Sequence, residues 1–319
     1  MSNNDGELVT LEQAYQNYNR GNELLQTSCI KCRCSPDYTG AIPFFKKAAD
    51  IFRGCGKFEH EIQSREKLIK CFRFENSFWE EGNEYEKICK VQLNQLKSTA
   101  EAYNSIINAY NAYSSNHTYE DGIKALTKSS SEFLDNGNKN EAEKILEFAY
   151  QEIDRYYHVL TLNEEESHLY IYECVEKYID LLFNHEKFDK ASFTAQKFAE
   201  LIEKENKEEK RYISKYYGFQ SIAELLLKNE KKFETAIQKG LQNAESDDDF
   251  CSKINRLVSV VNQNERENEK LIKNLYSELS KRCPTSIGKN LYNKYIQINV
   301  IITIHENEIN TNGDEDDMK

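Results

Sequence analysis

The segment Asn184-His-Glu-Lys-Phe-Asp-Lys-Ala191 is a short polar break followed by an aromatic residue, an acidic residue and a small residue. The same order recurs at residues 119–122 and 233–236, and a looser form lies at residues 38–41. A small residue lets two helices approach each other, and an aromatic ring fills the gap beside it. The intervals between these breaks indicate a repeating unit of roughly 40 residues that contains two helices.

The apolar residues between the breaks are three and four positions apart, which is the spacing of one helix face. A single helical hairpin cannot bury its apolar face alone, whereas stacked hairpins can. Only 3 prolines and 12 glycines occur in 319 residues, which argues against a sheet with many tight turns. We therefore predict an all-α, TPR-like right-handed solenoid, a twisted sheet of antiparallel helical hairpins, over residues 1–244.

The pattern changes after Ala244, where the acidic break Glu245-Ser-Asp-Asp-Asp249 begins. Further apolar segments follow, and Pro284 separates the last two, since the residue before a proline rarely stays helical. We expect residues 245–309 to form a C-terminal helical bundle that caps the solenoid. Residues 310–319 are polar and acidic, so we predict a flexible tail.

Charge is distributed unevenly along the chain. The formal net charge is −12, yet residues 29–74 hold ten basic and five acidic side chains. A uniformly acidic surface disfavours nucleic acid, and we expect no nucleic-acid partner. The basic segment either marks a contact with an acidic partner or is an ordinary solvated helix face.

The N-terminal residues 1–10 are polar and lack the apolar core of an export signal. A run of about 18 apolar residues, as a membrane-spanning helix requires, is also missing from the sequence. The nine cysteines are scattered and odd in number. These features favour a cytoplasmic protein with reduced thiols.

The sequence offers little catalytic chemistry. It contains neither a phosphate-binding G-x-x-x-x-G-K loop nor a G-x-S-x-G elbow, and no two of its six histidines form an H-x-x-x-H pair. We therefore expect no catalytic residue, no cofactor and no metal site, and predict that the chain is not an enzyme.

One unusual cluster is Cys29, Cys32 and Cys34. Together with Cys55 or His60 it could supply the ligands of a zinc ion. Lipid attachment to one of these thiols is a second alternative, because basic residues lie between them. The simplest interpretation is a hairpin loop with free thiols.

The stretch Lys31 to Phe58, KCRCSPDYTGAIPFFKKAADIFRGCGKF, resembles the first hairpin of the soluble NSF attachment proteins (SNAPs), most closely gamma-SNAP. Residues 78–86 (FWEEGNEYE) and 188–197 (FDKASFTAQK) resemble later helices of the same branch. The tail at residues 313–319 (GDEDDMK) is similar to the acidic tail of alpha-type members. The matching segments are short and spread over most of the chain, and the resemblance depends on the order in which they occur.

This resemblance implies an adaptor. SNAPs coat the four-helix SNARE bundle after membrane fusion and recruit the hexameric ATPase NSF, which pulls the bundle apart in vesicle-mediated transport. The adaptor itself holds no nucleotide. The resemblance further implies a cytoplasmic protein that associates peripherally with anionic membrane.

Three groups of residues follow from the resemblance. The SNARE bundle is acidic outside, so its expected contacts are Lys46, Lys47, Lys124 and Lys128. The expected membrane loop combines apolar and basic residues, namely Cys29, Ile30, Lys31, Cys32 and Arg33. The expected ATPase contacts are acidic residues and one apolar anchor, namely Asp247, Asp248, Asp249, Asp314, Glu315, Asp316, Asp317 and Met318.

A second function remains open from the sequence. A generic TPR-like α-solenoid scaffold that binds a peptide, or a partner in a coat or proteolytic complex, would share the fold and differ only in its partner. For each lysine, and for the acidic tail, ordinary solvated charge is the alternative to a binding role.

Overall fold

The computed structural model describes residues 3–27, 35–161, 168–246, 249–263 and 268–297. Every regular element within these ranges is helical, which confirms the predicted all-α class of a helical-hairpin solenoid. The helices are α1 (Asn3–Leu25), α2 (Tyr38–Gly54), α3 (Phe58–Phe74), α4 (Phe78–Asn94), α5 (Thr99–Ser115), α6 (Tyr119–Asp135), α7 (Lys139–Leu160), α8 (His168–Asn184), α9 (Phe188–Glu205), α10 (Lys210–Leu226), α11 (Glu230–Gln242), α12 (Phe250–Gln263), α13 (Glu269–Ser280) and α14 (Thr285–Leu291), followed by a π-helical turn (Tyr292–Ile296).

The chain divides into two compact units, Met1–Cys174 and Val175–Lys319. The domain boundary predicted at residues 244 and 245 falls inside the second unit, and it stays a prediction. The C-terminal bundle, the flexible tail and the right-handed twist likewise stay predictions.

In the first unit each helix from α1 to α7 packs against the next one. Helix α4 also contacts α6, and α5 contacts α7, so successive helices alternate between two layers. We call α2, α4 and α6 the even layer and α1, α3, α5 and α7 the odd layer. This alternation is the arrangement that stacked hairpins produce.

The turns that follow α2 to α6 each contain one residue in the left-handed region. A residue with positive φ follows each helix from α2 to α6, at Gly56, Asn76, Lys97, His117 and Gly137. At the first of these turns, the Lys57 amide donates to the Phe52 carbonyl at 2.8 Å and so satisfies one of the last carbonyls of α2. The recurrence every 20 or 21 residues sets helices of equal length in a regular stack.

Small residues at the helix interfaces lie against aromatic rings, as the sequence predicts. A Cβ atom added to Gly122 would lie 2.7 Å from the Tyr110 ring, and one added to Gly82 would lie 2.8 Å from the Tyr113 ring. The Tyr110 ring also meets Phe148 edge-on, with ring centroids 5.2 Å apart. Such close contacts hold α4, α5, α6 and α7 together.

In the second unit, α10 is the central helix, because it contacts α9, α11, α12 and α14. The Asp180 carboxylate of α8 caps α14 by accepting hydrogen bonds from the Ser286 amide at 2.7 Å and the Ile287 amide at 3.3 Å. Burial raises the pKa of Asp180 above its usual value, although these hydrogen bonds act in the opposite direction.

Candidate functional site

The four lysines expected to contact a SNARE bundle all lie in the even layer. Lys46 and Lys47 belong to α2, Lys124 and Lys128 belong to α6, and all four side chains are exposed. The fold thus places them on helices that occupy equivalent positions in the stack. Their binding role stays a prediction.

A fifth lysine occupies an equivalent position on the helix between them. Lys47, Lys87 and Lys128 are each the tenth residue of their helix, in α2, α4 and α6 respectively. We call these three residues the lysine row. Sequence reasoning missed Lys87, although its spacing from Lys47 and Lys128 matches the 40-residue repeat.

The lysines differ in how their ammonium groups are held. The Lys46 Nζ lies 5.3 Å from the centre of the Phe72 ring, and the Lys124 Nζ pairs with Glu120 and lies 5.4 Å from the Tyr170 ring centre. Within the described residues, Lys47 and Lys128 make neither an ion pair nor a side-chain hydrogen bond. Those two charges are therefore the most available to an acidic partner.

Lys87 is anchored to a buried ionic network between α3 and α4. The Lys87 Nζ donates to Glu84 Oε1 at 2.6 Å, and the other oxygen of Glu84 accepts from Arg65 Nη1 at 2.5 Å. Arg65 in turn donates from Nε to Glu61 Oε1 at 2.9 Å. Because the side chains of Glu61, Arg65 and Glu84 are at most 3% exposed, the network fixes the position of Lys87 from the core.

Burial makes several of the described cysteines unreactive. It raises the pKa of Cys71 to about 11 and the pKa values of Cys89 and Cys251 to about 12, so these thiols stay protonated at neutral pH. The cluster Cys29, Cys32 and Cys34 lies outside the described residues, so its chemistry stays open.

The two proposed partners of that cluster have ordinary structural surroundings. His60 Nε2 is hydrogen-bonded to the Tyr15 hydroxyl at 3.0 Å, and Cys55 is a free, half-buried thiol. Within the described ranges, no group of three or more histidine, cysteine or acidic side chains is arranged to hold a metal ion.

The remaining predicted site residues lie mostly outside the described part of the chain. These are the membrane loop at residues 29–33, Asp247 and Asp248, and the tail residues 314–318. Asp249 is described and buried, and its carboxylate accepts hydrogen bonds from the Ser214 hydroxyl and, at 3.4 Å, from the Cys251 amide. It therefore stabilises the start of α12, where a partner would not reach it.

Comparison with known proteins supports the resemblance seen in the sequence. Residues 57–156 match the family model of the soluble NSF attachment protein, SNAP. The match covers α3, α4, α5, α6 and most of α7, and it includes Lys87 and Lys128 of the lysine row. No curated protein matches the chain.

The matched family consists of adaptors rather than enzymes. Among the described helices, none is long and apolar enough to cross a bilayer.

Proposed function

We propose that the chain is a SNAP-type adaptor that binds SNARE complexes and recruits and stimulates the ATPase NSF. Such an adaptor would act in SNARE disassembly during vesicle fusion and intracellular protein transport. The observation that carries this proposal is the SNAP family match over residues 57–156, which lies within the stacked hairpins. The resemblance of the first hairpin to gamma-SNAP supports that branch.

The lysine row is the proposed SNARE contact, together with Lys46 and Lys124. Lysines at one position of three equivalent helices place positive charge at regular intervals along the even layer. A long acidic helical bundle presents charge at regular intervals too, so several weak ion pairs form together. Complementary charge of this kind raises the association rate and fixes the register of the complex.

The proposed ATPase contact consists of Asp247 and Asp248 with the tail residues Asp314, Glu315, Asp316, Asp317 and Met318. Their acidic charge suits a basic ATPase domain, and the methionine supplies one apolar anchor. Asp249 is left out of this contact because its carboxylate is buried.

The proposed membrane contact is the loop Cys29, Ile30, Lys31, Cys32 and Arg33. A short apolar and basic segment favours weak, reversible binding to anionic lipid. The adaptor would then be cytoplasmic and peripherally associated with the membrane that carries its SNAREs.

Reconstitution of the complete cycle tests this proposal. Purified full-length chain is mixed with an assembled SNARE bundle, and NSF and ATP are added in a second step. The expected results are retention of NSF on the bundle only when the chain is present, and ATP-dependent release of the SNARE subunits. A chain that binds neither the bundle nor NSF would contradict the proposal and leave the peptide-binding scaffold as the better explanation.

A further inference from the structure

A polar cleft lies between α1 and α3, on the odd layer of the first unit. It is open to solvent, has a volume of about 520 Å³, and is lined by the last turns of α1, by Gln26 directly after that helix, and by Lys67 and Lys70 of α3. Its volume falls in the range of roughly 300–1,000 Å³ that is typical of small-molecule sites. The lysine row and the other proposed SNARE contacts take no part in its lining.

Three side-chain amides form one wall of this cleft. Asn19 and Asn22 are three residues apart on one face of α1, and Gln26 follows directly after the last residue of that helix. Their side chains make no hydrogen bond to another described residue. Each amide nitrogen can therefore donate two hydrogen bonds to a ligand.

Two lysines form the opposite wall. Lys67 and Lys70 are three residues apart on α3, so they lie on the same face of that helix. Neither makes an ion pair or a side-chain hydrogen bond within the described ranges. Two positive charges without an internal counter-ion therefore face a set of hydrogen-bond donors.

The acidic side chain that lines this cleft, Glu23, has a basic partner, and two backbone carbonyls at the end of α1 are hydrogen-bonded. The Glu23 carboxylate is paired with Arg20 at 2.8 Å. The Leu24 carbonyl at the end of α1 accepts a hydrogen bond from the Asp37 amide at 2.9 Å, and the Glu23 carbonyl accepts one from the Gln26 amide at 3.3 Å. The cleft thus keeps a net excess of positive charge and of donors.

We propose that this cleft binds a phosphorylated polyol, such as a phosphorylated inositol ring. Lys67 and Lys70 pair with its phosphate oxygens, while Asn19, Asn22 and Gln26 donate to the remaining phosphate oxygens and accept from ring hydroxyls. The ammonium groups act as point charges, which suits the rotationally adaptable oxygens of a phosphate monoester. This site is independent of the proposed adaptor function.

Calorimetric titration of the full chain with inositol trisphosphate tests the site. We expect one ligand per chain and a dissociation constant at least about tenfold weaker for Lys67→Gln/Lys70→Gln, because two charge-assisted hydrogen-bond donors are lost. The matched control is Lys207→Gln/Lys210→Gln, which removes two exposed lysines of the same spacing elsewhere. Absence of binding to the parent chain, or equal weakening by both double variants, would overturn the proposal.

A second variant separates a built site from diffuse attraction. Asn22→Asp replaces a donor in the cleft by a carboxylate of the same size, and Asn104→Asp makes the same charge change at an exposed position on α5. We expect Asn22→Asp to weaken binding several-fold and Asn104→Asp to leave it unchanged. Equal effects from these two folded variants would contradict a specific site.

Vesicles distinguish the two sources of such a ligand. One set contains phosphatidylinositol bisphosphate and the other contains phosphatidylserine at matched charge. Preferential sedimentation with the first set, reversed by free inositol trisphosphate, identifies a lipid headgroup as the ligand. Binding of the free trisphosphate alone identifies a soluble inositol phosphate, and binding to both vesicle sets alike overturns the proposal.

Discussion

The Arg73 Nε donates a hydrogen bond to Glu81 Oε1 at 3.0 Å across the turn between α3 and α4. Arg53 Nε donates to Glu61 Oε1 at 2.8 Å across the preceding turn, between α2 and α3. Both pairs join the sixteenth residue of one helix to the fourth residue of the next. The ion pair therefore recurs in two successive repeats, and in each it couples the turn to the following helix.

The acidic partner occupies the place that small residues hold in later helices. The fourth residues of α5, α6 and α7 are Ala102, Gly122 and Ala142, all of them buried. A carboxylate at this buried place is tolerated because an arginine eight residues earlier pairs with its Oε1 atom.

The buried network around Arg65 should dominate the stability of the first hairpins. We expect Arg65→Ala to lower the free energy of unfolding by about 3–5 kcal/mol, because Glu61 and Glu84 then lose the buried cation that joins them and keep only the partly exposed Arg53 and Lys87 as partners. Arg20→Ala breaks an ion pair whose side chains are about half exposed, so its cost should stay below about 1 kcal/mol. Urea unfolding followed by circular dichroism measures both, and equal losses would contradict the network.

Two glycines should respond to alanine in opposite directions. Gly82→Ala would place a Cβ atom 2.8 Å from the Tyr113 ring, so we expect a loss of about 1–3 kcal/mol. Gly54→Ala meets nothing within 4 Å at the exposed end of α2, so we expect a gain of up to about 1 kcal/mol. Thermal unfolding measures both variants. If both were stabilised or both destabilised, the close packing of α4 on α5 would not explain the effect of Gly82→Ala.

Some features of this fold can be predicted from the sequence alone, and others cannot. Helical spacing and the breaks predict the all-α class, because both depend on local contacts. The turns at Asn76, Lys97 and His117 are harder to locate, because these residue types favour the left-handed region less clearly than glycine does. Lys87 is the tenth residue counted from Phe78, as Lys47 is counted from Tyr38, so the 40-residue repeat alone is enough to locate it.

Partnerships across long separations could not be predicted either. Asp180 and Ser286 are more than 100 residues apart, yet the aspartate caps α14. Nothing in the local pattern distinguishes this carboxylate from the many solvated ones in the chain. The same holds for the cleft between α1 and α3, since it depends on how two helices pack across a third.

Asp180 should make stability depend on pH in the acid range. Its folded-state pKa is raised above the ordinary 3.8, so the folded state holds the proton more tightly than the unfolded state. The contribution of Asp180 to stability is therefore greatest at a pH below its ordinary pKa. It declines as the pH rises through the raised pKa of the folded state. Asp180→Asn removes this titration. Between the ordinary and the raised pKa, we expect the free energy of unfolding of the variant to rise relative to that of the parent, and then to level off at higher pH. If urea unfolding gives the same difference between variant and parent at every pH, the raised pKa of Asp180 is contradicted.

The acidic tail should affect the ATPase step without affecting the fold. Deletion of residues 314–319 removes four carboxylates and Met318, which are the proposed NSF contacts. We expect unchanged thermal unfolding and unchanged SNARE binding, but weaker stimulation of NSF, because complementary charge speeds the encounter. Steady-state ATPase assays measure this effect, and full stimulation by the truncated chain would reject the tail as a contact.

The lysine row should be needed for binding to an acidic helical bundle. We expect Lys47→Gln/Lys128→Gln to weaken SNARE binding about tenfold at low salt and less at high salt, because exposed ion pairs are individually weak and screened. The matched control is Lys139→Gln/Lys144→Gln, which removes two exposed lysines from α7 of the odd layer. Because both double variants lower the charge equally, a loss confined to the first assigns binding to the even layer. If a solution binding assay shows that both double variants lose the same SNARE affinity, the attraction is unspecific. The lysine row is then an ordinary solvated helix face.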